Sequence, residues 1–214
     1  MDARPGRLFV LVLAAALVAV AGPAHAGSIG VQLGVDRSGV DGDSPPNSQY
    51  IDKYGLVAGL QGEIGFAHGL LLSLQPSFVQ KRSSVQTATT RSGDPIEREL
   101  GLDYVSVPLL VKFAKAGGRT YIAGGVSVDF LSAATLAGQD VKSSFNSTGL
   151  GAVLGFGVVF PVGRTRFTTE LRLAQGLSNI NSGGIAAAAG ALAPRLHSSG
   201  LQLIVGSLFP MGKR

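Results

Sequence analysis

Five charged side chains stand inside otherwise apolar, alternating stretches of this chain: Glu63, Lys112, Asp129, Glu170 and Arg172. Each takes the polar phase of a period-two pattern, which places all five on the enclosed face of the sheet that those stretches form. Isolated ions on such a face are costly, whereas cross-paired and hydrogen-bonded ones are tolerated. Three acids against two bases nearly compensate, so a structural charge network is expected. The chemical alternative is a gated or proton-conducting interior.

Other reactive residue types form weaker patterns. His68 falls in a short turn and His197 beside a long connection, at opposite ends of the sheet, which disfavours a joint metal or catalytic site. His197 with Ser198 or Ser199 and a loop aspartate would suit lipid or peptide hydrolysis, but no spacing fixes a nucleophile and base. Asp36, Asp41 and Asp43 are closely spaced, yet Pro45, Pro46 and the lack of a terminal bidentate acid disfavour an EF-hand-like calcium loop. The chain has no cysteine, no P-loop and no glycine fingerprint between a strand and a helix. The reading is therefore non-enzymatic, with no cofactor and no metal. Basic residues are scattered, without an aromatic platform, so nucleic acid is not an expected partner.

The elements that must position these groups are strands. In 103–113, DYVSVPLLVKF, residues Val105, Val107, Leu109, Val111 and Phe113 share one face, and Tyr104, Ser106, Pro108, Leu110 and Lys112 the other. Comparable strands are expected at 28–35, 54–66, 70–81, 119–131, 148–160, 164–177 and 199–209, eight in all. Pro76 is awkward in the third because it removes a ladder donor. Connections 36–53, 82–99, 132–147 and 178–197 are long and alternate with short turns. The fold class expected is all-β: an eight-stranded antiparallel up-and-down transmembrane barrel with short periplasmic turns and four longer external loops. Eight strands enclose an interior that side chains can fill, which argues against a general diffusion pore.

Composition agrees with export. Arg4 and Arg7 precede the apolar run 8–21, and Ala24, His25 and Ala26 supply a small-residue cleavage site. Residues 1–26 are expected to be a signal peptide and 27–214 the barrel domain. Removing Asp2, Arg4 and Arg7 lowers the whole-chain charge of +5 by one. The 31 glycines are roughly twice the usual ~7%. Many lie inside strands, where they relieve crowding in a small, tightly curved barrel.

The segments DYVSVPLLVKF, RTYIAGGVSVDFLS, LGAVLGFGVVFPVG and TTELRLAQGLSNI resemble the outer membrane protein beta-barrel domain family, also described as porin-family or PorT-like. Tyr104, Pro108, Leu109, Leu110 and Lys112 match its tyrosine-led YLEIPLLLK strand. Tyr121, Ala123 and Gly124 match the next element, and Glu170, Arg172, Gly176, Leu177, Asn179 and Ile180 an LRYxxGLxNI ending introduced by an acid. The resemblance covers most of 27–209. It implies a barrel in the outer membrane of a Gram-negative bacterium, with no single shared activity. It also implies recognition by the outer-membrane assembly machinery through a final aromatic residue. Phe209 takes that place, followed by Pro210, Met211, Gly212, Lys213 and Arg214. The expected role is structural or loop-mediated binding, with an adhesive or ligand-binding barrel as the alternative. The expected partners are outer-membrane lipid and lipopolysaccharide, the assembly machinery and an external ligand.

Overall fold

A computed structural model of the chain describes residues 27–42, 48–87, 96–115, 117–180 and 196–211. Ten strands account for most of them. They are β1 (Gly27–Gly42), β2 (Ser48–Ala67), β3 (Leu70–Leu74), β4 (Ser77–Thr87), β5 (Ile96–Ala114), β6 (Thr120–Leu136), β7 (Gln139–Asp140), β8 (Thr148–Val162), β9 (Thr165–Gly176) and β10 (Leu196–Met211). A short 3-10 turn covers Lys142–Ser144. The expected signal peptide, Asp43, Pro45, Pro46 and most of the last long connection lie outside the described residues.

Every pairing is antiparallel, and β10 returns to β1, so the sheet closes. β3 and β4 are halves of one stave and β7 is a small flap on β6, which leaves a ring of eight staves. The break falls at Gln75 and Pro76. Proline has no N–H, but its carbonyl still accepts from Leu60 N at 2.9 Å, and Gln75 N donates to Pro108 O at 3.0 Å. The ladder is interrupted there without leaving those groups orphaned.

Short turns gather at one end. Val162 pairs with Thr165 across a two-residue turn, with Gly163 at φ 62° in its first position. That left-handed start suits the twist of a tight hairpin. Phe66, Phe113, Phe160, Phe167 and Phe209 are all exposed close to this end, as an interfacial aromatic girdle requires. Beyond them the outer face is apolar: Val31, Leu33, Val35, Leu109, Val111, Leu171, Leu203 and Val205 are exposed. Each such leucine gains of order 1.5–3 kcal/mol when fully removed from water, and in this ring only surrounding hydrocarbon can do that.

Inside, space is short. A Cβ built on Gly157 would lie 2.2 Å from the Tyr121 ring, so glycine is the residue that lets that ring cross the lumen. Tyr121, Leu110, Ala123 and Val153 form one buried apolar cluster at this level.

The strands run further than the apolar alternation suggests. β1 reaches Gly42, β2 begins at Ser48, β4 reaches Thr87, β5 begins at Ile96 and β6 reaches Leu136. Much of the expected connections 36–53, 82–99 and 132–147 is therefore strand. In β5 and β6 the extension carries an aqueous pattern, apolar inside and charged outside. Leu100, Leu102 and Tyr104 pack with Leu131, Ala134, Phe145 and Ile180, while Glu97, Arg98 and Glu99 are exposed.

The external end also divides. Pairing of β1 with β2 ends at Ser38 and Lys53, whereas β1 stays paired with β10 as far as Gly42 and Leu196. A two-stranded ribbon thus leaves the ring beside an extended sheet of β2, β4, β5 and β6.

Candidate functional site

The enclosed face of the short-turn half carries a chain of ions contributed by three staves. Lys112 projects from β5 and is 1% exposed; Glu63 from β2 and Glu170 from β9 are 4% and 3% exposed. Lys112 Nζ lies 2.9 Å from Glu63 Oε1 and 3.4 Å from Glu170 Oε2. Its ammonium also stands 4.6 Å from the centroid of the Tyr121 ring, a cation–π distance. Tyr121 Oη donates to Glu170 Oε2 at 2.7 Å. Arg172 donates to Glu170 Oε1 through Nε at 2.8 Å and Nη2 at 2.6 Å, and its Nη2 also reaches Gln75 Oε1.

The chain continues at both ends. Gln75 Nε2 donates to Ser73 Oγ at 2.9 Å. On the other side Arg166 Nη2 donates to Glu63 Oε2 at 3.2 Å and to Ser28 Oγ at 2.8 Å. Each buried acid therefore faces two cations, and the burial cost of each charge is offset by several charge-assisted hydrogen bonds.

Of the five residues singled out from the sequence, four meet here: Glu63, Lys112, Glu170 and Arg172. Asp129 does not join them. It accepts from Ser106 Oγ at 2.5 Å and Ser127 Oγ at 3.3 Å, nearer the external end. Five participants were not singled out: Arg166, Tyr121, Gln75, Ser28 and Ser73. Arg166 shares the strand phase of Glu170 and Arg172, a signal sufficient to include it. Gln75 shares the polar phase of Ser73 and Ser77, and all three are enclosed; it was passed over because it carries no charge.

Asp36 was assigned to the first connection. It lies instead in β1, with its side chain enclosed and the residue 0% exposed. Its phase matches that of Gln32, 1% exposed, and Gln61 of β2 is 2% exposed. Lys81 Nζ donates to Ser198 Oγ at 2.9 Å and stands 5.5 Å from the Tyr104 ring centroid. The cavity beside Lys81, Tyr104, Asp129 and Arg172 measures about 20 Å³, room for about one water.

His68 is exposed in the turn between β2 and β3, and His197 lies in β10 near the external end, so the two are well separated. Ser198, one nucleophile considered beside His197, is buried and already accepts from Lys81. Among the described residues no group of three or more His, Cys, Asp or Glu side chains could hold a metal ion.

The family model for the outer membrane protein beta-barrel domain matches residues 23–182. The chain belongs to this family. As an outer membrane protein beta-barrel domain it resides in the bacterial outer membrane. Its fold resembles that of Ail, the attachment invasion locus protein of Yersinia pestis, solved with the heparin analogue sucrose octasulfate; identity is 15%, the TM-score 0.46, and 87% of this chain and 99% of Ail are covered. Neisserial surface protein A is similar at 12% identity and TM-score 0.49, over 86% of this chain and 97% of its own. OprG from Pseudomonas aeruginosa is similar at 15% identity and TM-score 0.48, over 88% and 98%. No curated protein sequence matches the chain.

Proposed function

We propose that this chain is a non-enzymatic outer-membrane barrel, exported by a leader at residues 1–26. Its closed lumen bars diffusion, and its external strands and loops carry any binding role. The observation that carries this reading is the ion chain from Ser28 through Arg166, Glu63, Lys112, Glu170 and Arg172 to Gln75 and Ser73. It joins staves around the ring, and a solute entering the lumen would have to separate buried charge pairs. Lipid and lipopolysaccharide are the partners of the outer face, the assembly machinery of a Gram-negative envelope delivers the chain, and an external ligand meets the extensions.

Reconstitution into planar bilayers tests the reading. The full barrel is expected to give no stable conductance steps, while showing heat-dependent migration in detergent gels and fractionating with outer membranes. Porin-like steps in a correctly folded preparation would overturn the closed-lumen role.

A further inference from the structure

One recess lies on the outside of the ring, near the external end. It is a groove of about 400 Å³, within the ~300–1,000 Å³ of ligand-holding clefts. Its floor is built by one lateral row of paired residues: Arg37 of β1 opposite Leu201 of β10, Leu201 opposite Leu173 of β9, and Leu173 opposite Leu154 of β8. The three leucines are 40%, 58% and 65% exposed, continuous with the lipid-facing belt. The next row outward is Gly39, Ser199, Gln175 and Ala152, small at three of its four positions, so the wall is low above the leucines except at Gln175.

The polar edge is held in place. A Cβ on Gly39 would lie 2.2 Å from Asp52 Oδ1, so the missing side chain is what lets Asp52 cross β1. Asp52 Oδ2 then stands 3.4 Å from Arg37 Nη2, with the Arg37 side chain 56% exposed. A guanidinium has five N–H donors in a planar fork. The Asp52 contact involves one terminal nitrogen and leaves the rest of the fork accessible at the boundary between apolar belt and external water.

We propose that this groove binds one phosphorylated glycolipid of the outer leaflet, with an acyl chain along Leu154, Leu173 and Leu201 and a phosphate on Arg37. The inference rests on the outward orientation of the external end in the function proposed above. Apolar length beneath a phosphate is the chemistry of such a lipid, and a guanidinium fork suits phosphate oxygens better than a point charge does. Asp52 balances Arg37 while the groove is empty and fixes its direction. An uncharged amphiphile would use the floor alone.

The full barrel in neutral detergent is titrated with bisphosphorylated lipid A, its dephosphorylated form and phosphatidylglycerol, and adducts are counted by native mass spectrometry. One saturable lipid A adduct is expected. Arg37→Gln is expected to weaken lipid A by about tenfold without changing the dephosphorylated lipid. Ala152→Phe, which fills the groove, is expected to weaken both. Arg98→Gln, at an exposed position on β5, leaves binding unchanged. Equal lipid A affinity in wild type and Arg37→Gln, or phosphatidylglycerol bound as tightly as lipid A, would overturn the assignment. Heat-dependent migration and outer-membrane fractionation of the same samples report on the barrel itself, so a failure there strikes the underlying reading and not the groove. Should Ala152→Phe not fold, Arg37→Gln decides.

Discussion

Within β5 a single face of one strand lines two different interiors. Toward the short turns its enclosed residue is Lys112, an ion held by two acids; toward the external end the same phase brings Leu100 and Leu102 into an apolar cluster. The outer phase changes in the opposite sense, from Leu109, Val111 and Phe113 to Glu97 and Glu99. The lower part is organised for hydrocarbon outside, so polarity retreats to the centre. The upper part is organised for water outside, so it builds an ordinary core. Where the two patterns exchange, the strand passes through the membrane boundary.

The contrast can be broken most severely at the centre of the ion chain. Lys112→Met removes the cation between Glu63 and Glu170 and is expected to cost about 3 kcal/mol, the low end for breaking a buried pair, because Arg166 and Arg172 each retain one acid. Urea unfolding in detergent measures it, and adding Glu63→Gln should recover part of the loss. Unchanged unfolding would mean that the lumen ions do not act together.

Leu102→Ala tests the other interior. About 2–3 kcal/mol is expected, read as faster protease cleavage of the extension with heat-dependent migration intact. Global loss of the barrel would merge the two interiors into one cooperative unit. A smaller effect, about 1.5 kcal/mol, is expected from Tyr121→Phe, which removes a hydrogen bond to a charged acceptor. It should lower the unfolding midpoint without changing the denaturant slope.

The weakest effect lies outside the membrane belt, where Lys53 Nζ is 2.7 Å from Glu97 Oε1. The hydrogen bond from Lys53 holds Glu97 below its usual carboxylate value, and the same bond raises Lys53. The pair's contribution is thus complete between the two unfolded values. It fades on acidification through the depressed Glu97 value and on alkalinisation through the raised Lys53 value. Carbon-detected NMR titration should place the Glu97 midpoint below that of an ordinary glutamate, and Lys53→Gln should move it back toward that value.

The sequence made the staves legible where lipid demands an uninterrupted apolar face, as in 103–113 and 148–160. Their ends were not legible. Stretches such as Ile96 to Leu102 place leucines inside and charges outside, which by composition reads as a polar connection when the lipid pattern is the reference. Four of the five charges considered first converge because strand phase alone carries them inward. Asp129 has the right phase but the wrong height, and height depends on register between strands that no single segment encodes. Arg37 and Asp52 went unremarked for the same reason: their meeting requires β1 and β2 to be aligned with Gly39 beneath the carboxylate.

The pairing of β1 with β10 has a consequence for biogenesis kinetics. Their sixteen-residue spans are the two most distant staves in the chain, and they make the ring's seam. Until both are free to pair, the nascent sheet keeps two raw edges open to strand exchange with neighbours. Forming that seam demands the largest loop closure in the molecule, so ring closure belongs to the slow, late phase of folding.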